Sequence, residues 1–174
     1  MDFLTKEKFN ALVAACDNRT GSGRRDMLIL LLLYNTGAWV SELTTLKGKD
    51  LIIENTQVCI HITGKGRKER TVPLWKNTSK CLLHYMKLHS VTENDKLLMN
   101  YAGQELTRSG VRYRISCLVK KASSAMPSLN MKNVIPHTLD ILLLFICYRP
   151  VLIFPRLPYG SAMKVLPPPT NIWK

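Results

Sequence analysis

The stretch Leu31 to Leu46, LLLYNTGAWVSELTTL, constrains this chain most, because it reads as an apolar helix broken at Thr36-Gly37 and resumed near Ser41. Gly37 can take the left-handed conformation that ends a helix, and the Ser41 hydroxyl can accept an N–H bond at the start of the next one. A helix this apolar is buried, so the chain turns sharply at the edge of a core. Residue 39, a Trp, falls in that tight turn, where a side chain can point into a cleft.

The flanking sequence supplies the partners. Phe3 to Cys16 carries Phe9, Leu12, Val13 and Cys16 at helical spacing, with Thr5 as a cap. Asp17 to Gly23 reads as a polar link, and Met27 to Tyr34 as a central helix apolar on nearly every side. Gln57 to Thr63 alternates β-branched types, Gly64-Lys65-Gly66 supplies a turn, and Arg70 to Leu74 can return as the partner strand. The result is a hairpin with a basic tip. Lys76 to His89 is compatible with a helix, and Thr107 to Ala122 is a stronger one. Val111, Ile115, Leu118 and Ala122 lie on one of its sides, and Arg108, Arg112, Arg114 and Lys120 on the other. After Leu139 the character changes: ILLLFICY and VLIF are unpatterned apolar runs, followed by Pro155, Pro158 and three prolines from Pro167, a composition that propagates neither a helix nor a central strand.

A chain of 174 residues, 46% hydrophobic and 21% charged, can bury a sizeable single core. Its charge narrows the function: 25 Lys and Arg against 12 Asp and Glu leave +13, which attracts a polyanion. An anionic membrane surface fits less well, because the basic residues do not line one amphipathic helix. Residues Ile141 to Tyr148 are too short a run to span a bilayer. Five widely spaced cysteines without a Cys-x-x-Cys pair read as reduced thiols of a cytoplasmic protein, and the acidic, amphipathic segment DFLTKEKFNALVAA is not expected to act as a signal peptide.

Taken in order, LLLYNTGAWVSELTTLKGKDL, ITGKGRKERTVPL and IPHTL resemble the catalytic domain of the tyrosine recombinase (phage integrase) family, over about Leu4 to Leu139. The resemblance implies a mainly α-helical domain with a small antiparallel β-sheet, acting in DNA integration and site-specific recombination on double-stranded DNA. It also implies an additional N-terminal DNA-clamping domain, for which this chain is not expected to have room. In such a domain an Arg sits in the interhelical turn, a Lys at the hairpin tip, and a His-x-x-Arg pair opens a later helix ahead of a nucleophilic Tyr. The chemistry accounts for those types. A phenol attacking a phosphodiester develops charge on the non-bridging oxygens, which two guanidinium forks stabilise. Lys can protonate the leaving sugar oxygen, and the phosphotyrosine conserves the bond energy, so neither metal nor other cofactor is needed.

By this resemblance Lys65 matches the hairpin Lys and His137 the first His, while Trp39 and Asp140 occupy the two Arg positions. Losing one transition-state donor costs about a hundred- to a thousandfold in rate, so losing both predicts no strand cleavage. Arg67, Lys68, Arg70, Arg108 and Arg112 are the expected DNA contacts. Glu42 reads as structural, bonding near the turn. Tyr148 and Tyr159 lie in no matching motif.

The break at Asp140 has a codon-level explanation. Read one base earlier, the Asp140 codon takes the form NGA, which includes Arg, and the Ile141 codon becomes His or Tyr. Tyr159 to Lys164 then allows WLGHE, and the stretch from Val165 allows a Tyr nine codons beyond the restored His. Trp39 fits the same history, since TGG is one transition from an Arg codon. The expectation is an integrase-like catalytic domain, partial, over residues 1–139, and an out-of-frame hydrophobic, Pro-rich tail over residues 140–174. Three functions follow: a non-catalytic DNA-binding protein that can pair with an intact recombinase, a remnant that does not fold stably, and, least expected, an active enzyme.

Overall fold

The computed structural model describes residues 6–129. Helix α1 spans Lys6–Ala14, α2 Gly21–Thr36, α3 Val40–Thr45, α4 Lys76–Leu88 and α5 Arg108–Ala125, with strands β1 Leu51–Glu54, β2 Gln57–Thr63 and β3 Glu69–Pro73 between α3 and α4. The strands form one antiparallel sheet in the order β1-β2-β3. The fold is thus mainly helical with a small antiparallel sheet. Thr5, Cys147, Tyr148 and Tyr159 lie outside the described residues, as do His137 and Asp140.

Helix α2 is the centre of the core. Leu28, Ile29, Leu30, Leu32 and Leu33 are fully buried, so the helix is enclosed on all sides, as its lack of a polar stripe requires. It packs against α3, α4 and α5, and α1 packs against α5. Phe9 of α1 stacks on Tyr34 of α2 with ring centroids 4.1 Å apart. From the sheet, Val58, Ile60 and Ile62 point inward on alternate positions of β2, the period-two face that a half-buried strand presents.

Two boundaries differ from the sequence expectation. Helix α2 begins at Gly21, within what reads as a link, because the Thr20 hydroxyl accepts the Gly23 N–H at 3.0 Å and caps it. Gly23 is there for space: a Cβ would lie 2.0 Å from the Asp17 carbonyl oxygen. Strand β1 is a further element that the sequence pattern does not mark. It pairs Leu51 with Ile60 and Glu54 with Gln57, leaving Asn55 and Thr56 as a two-residue connection in which Asn55 takes φ 53°.

Candidate functional site

The helix break forms as its residues dictate. Gly37 adopts φ 60° and ψ 25°, and its N–H donates to the Leu33 carbonyl, closing α2. Helix α3 then begins at Val40, with Trp39 at the cap position. The expected Ser41 cap is not used. Instead the Glu42 carboxylate reaches back and its Oε2 accepts the Trp39 N–H at 2.9 Å, the longer side chain reaching the open donor from inside the helix. Trp39 stands 54% exposed.

Glu42 also fastens the hairpin. Its two oxygens accept from Arg70 of β3, Nη1 to Oε1 at 3.2 Å and Nη2 to Oε2 at 2.6 Å, a paired fork across 28 residues of sequence. Glu42 is 8% exposed and the Arg70 side chain 35%. Gly64, at the start of the hairpin loop, presses on the same carboxylate, since a Cβ there would lie 2.6 Å from Glu42 Oε1. One buried carboxylate therefore touches the turn carrying Trp39, the root of the hairpin tip and the returning strand.

The tip itself is a five-residue connection between the paired residues Thr63 and Glu69, closed by the Gly64 N–H donating to the Lys68 carbonyl at 2.7 Å. Gly66 takes φ 75° and Arg67 φ 58°, so the glycine here serves conformation. No atom lies within 4 Å of a Cβ built on Gly66. Lys65 opens the short helical turn of the tip, Lys65–Arg67. Arg67 and Lys68 are exposed.

A second polar tie joins the motif to the sheet. Asn35, near the end of α2, donates to the Pro73 carbonyl at 3.2 Å and accepts the Trp75 N–H at 2.7 Å. The link between β3 and α4 is thus held to the helix that precedes the break.

Of the expected DNA contacts, Arg67 and Lys68 stand at the tip, while the Arg70 fork is already occupied by Glu42. Arg108 is exposed in the first turn of α5 and Arg112, half-buried, follows one turn later on the same face. Arg114, which reads as part of that basic side, instead donates through Nε and Nη2 to Asp26 Oδ2 at 2.8 and 2.6 Å. Asp26 is buried and also accepts from Arg25. The Asp26 hydrogen bonds raise the Arg114 pKa above its ordinary value. Asp26 signals itself as the one acid in α2, but its partner 88 residues away does not.

A separate cleft of about 430 Å³ opens between the start of α2 and the end of α4, bordered by Ser22, Arg25, Tyr85 and His89, and by none of the sequence-derived candidates. The described residues bring no group of three or more His, Cys, Asp or Glu side chains into position for a metal ion.

A break between two helices, a hairpin keyed to the second of them by a buried carboxylate, and further helices around a central apolar one define an integrase-type catalytic domain. The model of the phage integrase family matches residues 2–139, and the chain belongs to that family. It is 38% identical over 139 residues to "Putative integrase/recombinase y4rC" of Sinorhizobium fredii, covering 80% of this chain and 42% of that one. It is 34% identical over 140 residues to the tyrosine recombinase XerC of Staphylococcus carnosus, covering 79% and 45%. Among solved structures, the XerH site-specific recombinase bound to difH substrate in a pre-cleavage complex superposes with a TM-score of 0.60 at 25% identity, covering 81% of this chain and 41% of that one. The chain thus spans less than half the length of these relatives.

Proposed function

We propose that this chain binds double-stranded DNA through its basic hairpin and α5 and does not cleave it. The observation that carries the reading is the Glu42 junction: the scaffold that positions residue 39 and the hairpin is complete, yet residue 39 is a Trp. An indole neither carries positive charge nor forks a phosphate. By the family resemblance the second Arg position holds Asp140, which adds negative charge where the transition state already has it. Net charge of +13 and exposed Arg67, Lys68 and Arg108 supply phosphate contacts that need no sequence reading. The similarity to XerH, solved on difH substrate, supports DNA as the partner.

Binding to a duplex should weaken as salt rises, with a log–log slope of roughly −0.9 for each phosphate neutralised. A suicide substrate should trap no covalent adduct, and Trp39→Arg alone should not restore one, because Asp140 remains. A tyrosine-linked adduct with the unaltered chain overturns the inactive reading, and salt-independent or absent binding overturns the DNA reading.

The family match stops at residue 139, just before the codons where a shifted frame would allow the family pattern, which supports the proposal of a partial catalytic domain over residues 1–139 followed by an out-of-frame tail. Nucleotide sequence across Leu139 tests this: a shifted frame with stop codons, or without the Arg-His codons, removes it. An intact recombinase is the second partner we propose, through occupancy of shared sites, and the purified chain should then slow recombination by such an enzyme. No helix among the described residues is long and apolar enough to cross a membrane. The four cysteines among the described residues are free, which supports a cytoplasmic location.

A further inference from the structure

We infer that Trp39 is a stacking platform for an unpaired base, giving the chain a preference for gapped or single-stranded stretches over intact duplex. The inference rests on the DNA-binding reading and goes beyond it. Trp39, left 54% exposed, forgoes burial that a core would reward, and its backbone is hydrogen-bonded to the carboxylate that also anchors the basic hairpin. Its N–H is held by the Glu42 carboxylate at 2.9 Å, and that same carboxylate abuts Gly64, the residue before the basic tip. Position 39 is thus joined through Glu42 to the root of a loop whose Arg67 and Lys68 are exposed.

An aromatic face anchored beside cationic side chains is what single-stranded nucleic acid recognition uses: the charges follow the backbone and the ring takes a base face. Base faces are hidden in a continuous stack. An unpaired or gapped nucleotide offers one without the cost of unstacking. The substitution that removes the phosphate fork therefore adds a contact of a different kind at the same point.

The test compares the full chain with its Trp39→Ala, Trp39→Phe and Arg67→Gln variants, on a short duplex and on the same duplex carrying a single-stranded gap, across a salt series. The unaltered chain should bind gapped DNA more tightly. Trp39→Ala should lose about 5- to 150-fold on gapped DNA, with its salt slope unchanged, and little on intact duplex. Trp39→Phe should keep part of the preference, and Arg67→Gln should instead reduce the salt slope by about one. Equal affinity of Trp39→Ala and the unaltered chain for gapped DNA overturns the inference while leaving DNA binding intact. Equal losses on both substrates also overturn it, since they indicate a damaged scaffold. Absence of binding by the unaltered chain removes both readings together.

Discussion

Glu42 serves three neighbours with two oxygens, and its removal leaves each of them differently exposed. Glu42→Ala strips the Trp39 N–H of its acceptor and leaves the Arg70 guanidinium without its fork partner. A fully buried broken pair costs about 3–5 kcal/mol; with the Arg70 side chain 35% open to water, about 2–3 is expected, read as a lowered urea midpoint. Cys16 gives a pH-dependent counterpart. Burial chiefly, with a contribution from Asp26, pushes its thiol pKa from 9.0 up to about 12. Between those values the unfolded chain has released a proton that the folded chain retains, so stability falls as pH rises through that window. Urea midpoints at pH 8 and pH 11 should therefore differ less in Cys16→Ala than in the unaltered chain; equal differences contradict the assignment. At this scale the sequence showed residue types more readily than partners. Glu42 reads as structural from its place in the turn, but nothing near it in sequence names Arg70, and an exposed basic hairpin suggests solvent for a guanidinium that in fact turns inward.

Among the elements, the helices and the main hairpin were legible because periodicity and turn chemistry agree there: Thr107 caps α5 through the Gly110 N–H, and β2 alternates inward and outward. Strand β1 was hidden by its shortness, since four residues hold too little alternation to distinguish a strand from a loop. The start of α2 was hidden by two glycines, one of which is demanded by close approach to Asp17. What joins the elements is polar as well as apolar. Asp26 ties α2 to α5 through Arg114 and steadies Arg25, whose Nη1 also reaches the Met99 carbonyl. Asp26→Ala leaves two cationic groups facing each other around an empty position and is expected to cost about 3–5 kcal/mol, measured by chemical denaturation. A cost below about 1 kcal/mol would show that the two guanidinium groups find water or other acceptors.

For the described part of the molecule, the Arg25-Asp26-Arg114 group, the Asn35 bridge and the Glu42 junction all lead back to α2 and the break that ends it. Helices and sheet are expected to melt together, because α3, α4 and α5 pack on α2 and the Glu42 and Asn35 bonds tie the sheet to α3 and α2. Far-ultraviolet circular dichroism and the fluorescence of Trp75, whose backbone N–H donates to Asn35, should give coincident thermal transitions in a Trp39→Phe, Trp173→Phe background. A fluorescence transition preceding the loss of helix would instead mark the sheet as a separate unit.

Because the hairpin is keyed to Glu42 and not to residue 39, the turn imposes almost no shape requirement on the side chain that projects from it. A comprehensive substitution library scored for folded protein should find position 39 permissive and positions 42 and 64 intolerant. A lineage that does not need strand cleavage can therefore drift at residue 39 while its architecture persists.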